Sequence, residues 1–323
     1  MCRETPSDDD FLKRLLDLKI EAKPGTKWDY SNTNYWLLAR VIEEVSGMSS
    51  AQFMQERIFT PLGMTATRTA LPNQTLMGRA AGYRLVNGRL ENREAIQPHT
   101  GRGLGDIATT VADMARWEQE QRQPRLLKPE TAALAHQAVA LDDGSATTYG
   151  YGWFTDQILS VPTLGHSGQT AGFVANYVRV PSRDLAIVLL TNLYGAPGGI
   201  TRLVRLVEPS LSGPPLLPAA NADAKWNQRV REFAAAAAQA QSGWREEWFT
   251  SDLWRGIRPN LLDIEATYRR RGTLQSVTAV GPGGVQDTKR PSYRVVFENM
   301  MARVISFEFD EEGRMKSIRS EDE

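Results

Sequence analysis

The stretch from Phe173 to Thr191 constrains the fold of this chain more than any other. Residues 173–180 alternate apolar and polar side chains, Pro181-Ser182-Arg183-Asp184 has turn composition, and Leu185-Ala186-Ile187-Val188-Leu189-Leu190-Thr191 is an unbroken apolar run ending in threonine. A period of two marks a strand with one face in a core, and a short continuous apolar run marks a strand covered on both faces. So short a turn joins only antiparallel neighbours. The expectation is a hairpin whose second strand, Leu185–Thr191, is buried on both sides.

Upstream of it the period is helical. Phe11, Leu12, Leu15, Leu16 and Leu18 predict a short amphipathic helix, and Leu37, Leu38, Val41, Ile42 and Val45 a longer one that Ser46-Gly47 stops. Ser49 and Gln52 have capping-box spacing for a third through Phe53, Met54 and Ile58, ended at Pro61-Leu62-Gly63-Met64. Thr110 and Asp113 cap a further helix, and Pro129 suits the first turn of the next. Residues 65–104 are turn-rich, with a hairpin signal at Asn87-Gly88. Helices followed by consecutive hairpin strands predict an α+β fold.

The proline-rich stretch from Glu208 to Pro218 reads as a boundary. It divides the chain into a domain at 1–207, a linker at 208–221 and a small α+β domain at 222–323. Trp226, Val230, Phe233 and Ala237 form a helical stripe there, and a second helix is expected near Leu253–Tyr268. Strands follow at Leu274–Val280, Tyr293–Glu298 and Ala302–Asp310, an arrangement similar to cystatin- or NTF2-like folds. Polar residues in this part are scattered, which points to packing or a substrate lid and not to a second active site.

Composition excludes several functions. Among 323 residues, 38 basic side chains balance 38 acidic ones, so electrostatics gives no reason to expect nucleic acid or an anionic membrane as partner. Cys2 is the only cysteine, which rules out an intrachain disulfide or a thiolate metal cluster. No apolar run is long enough to span a bilayer, and the polar, acidic start of the chain is no signal peptide, so the chain as it stands reads as soluble and cytoplasmic.

Chemistry concentrates in two places. Pro24-Gly25 leads into Tyr30-Ser31-Asn32 immediately ahead of a helix, which puts a phenol, a hydroxyl and a carboxamide on one loop. The plainer reading is that Ser31, Asn32 or Thr33 only caps that helix. The second place is Gly165-His166-Ser167-Gly168-Gln169. It nearly matches a lipase-type elbow, but Gln169 stands where the last glycine belongs, and none of the three histidines, His99, His136 and His166, follows Ser167. Histidines so far apart, without HExxH spacing, also argue against a metal site. Gly101-Arg102-Gly103-Leu104-Gly105 lacks the spacing of a nucleotide loop and reads as a segment that must approach a neighbour closely.

Taken in order, Tyr30-Ser31-Asn32, Pro61-Leu62-Gly63-Met64, Gly103-Leu104 with Asp113, His166-Ser167-Gly168 and the closing hairpin with Leu190-Thr191-Asn192 resemble the serine β-lactamase-like family. That family comprises class C β-lactamases, D-alanyl-D-alanine carboxypeptidases and related esterases; the resemblance covers about residues 11–207. It implies an antiparallel sheet with a helical layer and acyl-enzyme hydrolysis of an amide or ester in a small-molecule or peptide-like substrate, with no cofactor. By position, Tyr30 looks like the general base or proton relay and Asn32 like the amide that holds the substrate carbonyl. His166, Ser167 and Gly168 stand where the family usually has Lys-Thr-Gly, and the backbone N–H of Gln169 would form half of an oxyanion hole. A histidine in place of lysine offers less assured charge to a substrate carboxylate, which favours an esterase- or aminopeptidase-like activity.

The family's nucleophile lies in a Ser-x-x-Lys motif upstream of its tyrosine. Here no serine has a lysine three residues later, and only 29 residues precede Tyr30. The nucleophile, its helix and the first strands are therefore expected to be missing, leaving this chain inactive alone. Relatives of this kind are commonly exported, and a leader would lie upstream of Met1. Two alternatives stand beside the hydrolase reading: a non-catalytic module binding acyl-D-amino-acid or peptidoglycan-like ligands, and a truncated product with no function of its own.

Overall fold

The computed structural model describes residues 7–70, 75–86, 89–93, 101–158, 160–194, 200–211, 216–238, 244–258, 272–298 and 302–322. The chain forms two compact units, Met1–Gly198 and Gly199–Glu323.

In the first unit, helix α1 spans Asp8–Leu16, with the Ser7 hydroxyl accepting from the Asp10 amide, and α2 spans Asn32–Ser46, closed by Gly47 in the left-handed region. The apolar side of α1 is anchored mainly through Phe11, whose ring meets Trp36 of α2 edge-on at 4.7 Å, while Leu16 and Leu18 face solvent. Helix α3 (Ser50–Met54) runs into a π turn at Gln55–Phe59, and Ser49 caps it through the Gln52 amide. Phe59, Leu62 and Met64 then form a small buried cluster, which is the role of the Pro61–Met64 segment.

Strand β1 (Arg68–Thr69) pairs with β4 (Ile107–Ala108), and between them β2 (Tyr83–Val86) and β3 (Arg89–Asn92) form the expected hairpin. Its turn, Asn87-Gly88, lies outside the described residues, as does His99. Gly103 has φ +71°, and a Cβ there would sit 2.6 Å from the Tyr35 carbonyl oxygen; this glycine loop thus approaches the start of α2 closely. Helix α4 (Val111–Arg122) is capped by Thr110 as expected, and α5 (Pro129–Ala135) begins with its proline.

The principal sheet runs β5 (Phe154–Ile158), β6 (Val161–Thr170), β7 (Phe173–Val180) and β8 (Leu185–Thr191), in that order and antiparallel throughout. β9 (Leu193–Tyr194) joins β2 in parallel. The hairpin forms as predicted, but β8 is not covered on both faces: its residues are at best half-buried, and among the described residues it is the edge of its sheet.

Buried charge ties this sheet to α4. The Glu118 carboxylate accepts from Arg179 at 2.8 and 3.2 Å, from Arg122 at 2.8 Å and from the Tyr177 hydroxyl. Burial alone would raise the Glu118 carboxyl; hydrogen bonds from Arg179, Tyr177 and Arg122 outweigh it and hold the group below the usual carboxylate range. Asp113, 1% exposed, accepts from Thr67 and Arg116 and fixes α4 to the segment after the π turn.

In the second unit, α6 (Ile200–Val207) precedes β10 (Leu216–Pro218), so the proline-rich stretch is not merely a linker: Leu216 to Pro218 pair with β11 (Leu274–Pro282). The sheet continues through β12 (Ser292–Phe297), β13 (Arg303–Phe309) and β14 (Met315–Asp322) as an antiparallel meander. Helix α7 (Ala224–Ala238) supplies Val230, Phe233 and the partly buried Trp226 to the core. Ala237 lies outside the described side chains. Helix α8 covers Ser251–Ile257, and the rest of its expected span, 259–268, is outside the described residues. As alternation predicts, Ile305 and Phe307 are buried, and the Phe309 ring stacks on Trp226 at 4.1 Å.

Candidate active site

The loop ahead of α2 places the Tyr30 ring in an aromatic cluster drawn from three distant parts of the first unit. Its centroid is 5.9 Å from His166, 5.8 Å from Tyr149, 6.1 Å from Tyr35 and 6.4 Å from Phe154. Trp28 extends the wall, 5.9 Å from Tyr149 and 6.3 Å from Phe154. Trp28 and Tyr30 remain 40% exposed, so the wall is open to solvent and to a ligand.

Capping does not account for Tyr30-Ser31-Asn32. Ser31 is the N-cap of α2, but its side chain makes no capping hydrogen bond. Asn32 is the first residue of that helix, with its side chain exposed.

Strand β6 supplies the opposite side. β5 pairs with it only from Val161 to Gly165, so beyond Gly165 the segment 166–170 is paired to β7 alone among the described residues. Ser167, Gly168 and Gln169 are exposed, and a Cβ added at Gly168 would meet nothing within 4 Å. This leaves room beside His166 for a ligand. Gln169 lies three residues along the strand from His166, about 10 Å at the usual strand rise. Tyr30 thus lies beside the His166 end of this segment. The His166 ring is half-buried, with Nδ1 2.6 Å from the Ser167 carbonyl oxygen, Nε2 3.3 Å from the Tyr149 hydroxyl and the Phe154 ring 5.0 Å away.

Burial pushes the Tyr30 phenol above its ordinary value, and the neighbouring Tyr35 adds to the effect. No cation among the described residues offsets this, so Tyr30 holds its proton at neutral pH. A phenol serves as a base near neutral pH when a nearby positive charge or donated hydrogen bonds lower its pKa.

Sequence reasoning missed Tyr35, Tyr149, Phe154 and Trp28. Tyr149 and Phe154 lie in the aromatic-rich run Tyr149-Gly150-Tyr151-Gly152-Trp153-Phe154. Nothing in its spacing distinguishes Tyr149, which turns into the cluster, from Tyr151, which is 66% exposed.

The family model described as Beta-lactamase matches residues 2–209, and the chain belongs to that family. It is 31% identical over 229 residues to penicillin-binding protein 4 of Amycolatopsis lactamdurans, an alignment covering 65% of this chain and 60% of that protein. To a D-aminopeptidase of Gluconobacter oxydans it is 25% identical, over 56% of this chain and 34% of the relative. The chain thus spans between a third and three fifths of these relatives' lengths. Among solved structures, a D-stereospecific amidohydrolase from Streptomyces superposes with a TM-score of 0.54 at 20% identity, covering 62% of this chain and 61% of that one, a likeness of fold.

Proposed function

We propose that this chain carries the tyrosine-and-strand half of a serine acyl-hydrolase site that acts on an amide or ester through an acyl-enzyme, and that it does not turn over alone. The observation that carries the reading is the 5.9 Å approach of the Tyr30 and His166 rings beside the open edge of β6. Tyr30 is the proton-transfer residue, Asn32 the amide for the substrate carbonyl, and the 166–169 strand the platform along which the acyl group lies. The exposed wall of Trp28 and Tyr30 suits an apolar substituent on that group. The names of the relatives, penicillin-binding protein and D-aminopeptidase, favour amides of D-amino acids as the substrate class.

Inactivity follows from the chemistry of the triad. No serine here has its lysine three residues on, and among the described residues no cation lowers the Tyr30 phenol, so neither nucleophile nor base is activated. The same raised phenol favours a second reading, in which the groove binds such ligands without chemistry. Incubation with a fluorophosphonate or a fluorescent penicillin tests both. The expectation is no covalent label. Stoichiometric labelling of Ser31 or Ser167 would show that the chain is itself a hydrolase, and saturable non-covalent binding of the penicillin would support the second reading.

A further inference from the structure

His166 is held from two sides, by the backbone of its own strand and by a tyrosine to which no role was assigned above. The Ser167 carbonyl oxygen can only accept, so Nδ1, 2.6 Å away, must carry a proton. In the neutral ring Nε2 is then an acceptor, and the Tyr149 hydroxyl at 3.3 Å is its donor. The Tyr149 oxygen is in turn hydrogen-bonded to the Tyr35 hydroxyl, which fills its remaining place as donor. Three groups that approach from α2, from the segment before β5 and from β6 thus form one chain, Tyr35 to Tyr149 to His166 to the backbone.

From this arrangement we infer that Tyr149 is a positioning residue for His166, with Tyr35 behind it, and that the pair fixes the imidazole as the neutral Nδ1–H tautomer. This rests on the proposed role of the 166–169 strand as substrate platform and adds to it a chemical restriction. A ring whose Nδ1–H is given to its own backbone and whose Nε2 is capped by a phenol offers no N–H to a ligand. A substrate carboxylate finds no donor on His166, so the group lying there is uncharged, such as the carbonyl or alkyl portion of an amide or ester. Burial raises the Tyr149 phenol, consistent with a hydroxyl that stays protonated and donating.

The test needs no turnover, so its outcome is separate from that of the labelling experiment. The full chain, labelled with nitrogen-15 in histidine, is studied by long-range proton–nitrogen correlation at a pH where the rings are neutral. It has three histidines, and His166→Gln identifies the His166 signals by their loss. The expected wild-type pattern is a protonated Nδ1 and an unprotonated Nε2, the reverse of the form free histidine prefers. Tyr149→Phe, which keeps the ring in the aromatic cluster, should move the Nε2 resonance towards that of a free pyridine-type nitrogen. Tyr35→Phe should move it the same way by less, and the His136 signals should stay in place in both. A wild-type ring protonated at Nε2 overturns the inference, as does an Nε2 resonance that ignores Tyr149→Phe. Should Tyr149→Phe fail to fold, the wild-type tautomer and the Tyr35→Phe shift decide the question.

Discussion

At the scale of single residues, Ser31 and Thr110 make opposite predictions from the same position. Both are helix N-caps, but the Thr110 hydroxyl accepts the Asp113 amide and the Ser31 side chain caps nothing. Thr110→Ala should cost about 1 kcal/mol in urea unfolding, the usual value of a working cap. Ser31→Ala should cost well under half of that, and an equal cost would return the Tyr30–Asn32 loop to a structural role. In a longer form of the protein that turns over an amide or ester, Tyr30→Phe should lower kcat by a factor of about 10²–10⁴, the range for proton transfer by a placed side chain. Unchanged turnover would remove Tyr30 from the mechanism. Tyr30 and His166 stood out in the sequence through their order along the chain, and the fold brings their rings to 5.9 Å. Tyr35 and Tyr149 did not, because a tyrosine's partner across 114 residues is a property of the folded loop and leaves no local pattern.

Among elements, the α4–β7 junction is held by charge. Glu118 lies against Arg179, both nearly buried, and removing the carboxylate would leave the guanidinium without its partner. Glu118→Ala should therefore destabilise the first unit by about 3–5 kcal/mol, the cost of breaking a buried pair from one side. The pH dependence has a definite sign. A carboxyl held below its unfolded value stabilises the fold above that value, near 4.5, and the contribution fades as pH falls through the lower folded value. Acid unfolding of the wild type should thus include a loss that Glu118→Ala lacks; parallel acid transitions in the two proteins would contradict it. Elements were read correctly where periodicity is strong, as in α2, β7 and β13. The burial of β8 was misjudged because an apolar run reports a preference to be covered and cannot report what covers it. Strand β14 went unseen because its residues after Met315 are mostly polar, and an edge strand needs only a few anchors, here Met315 and Ile318.

Across the whole molecule, the two units differ in how they are built. The second has a continuous core in which Val230, Phe233, Tyr293, Val295, Phe307 and Met315 are each no more than 1% exposed, drawn from α7 and from three strands of one sheet. Among the described residues, the first has a small cluster at Phe59, Leu62 and Met64, separate buried side chains such as Trp36, Val174 and Val180, the charged junction at Glu118 and an aromatic wall open to solvent; Leu38, Val41 and Val45 of α2 are more than half exposed. The proline signal near 208–218 was read as a linker, whereas the two compact units meet at Gly198–Gly199 and Leu216–Pro218 complete the second sheet at its edge, where proline is tolerated. Buried apolar area is the main source of stability, so the units should unfold separately, the first before the second. Hydrogen exchange at intermediate urea measures this directly. Amides of β11–β13 should remain protected under conditions in which those of β6–β8 have exchanged. Simultaneous loss of protection in both sheets would mean that the units unfold as one, and that the first draws stability from contacts beyond its own core.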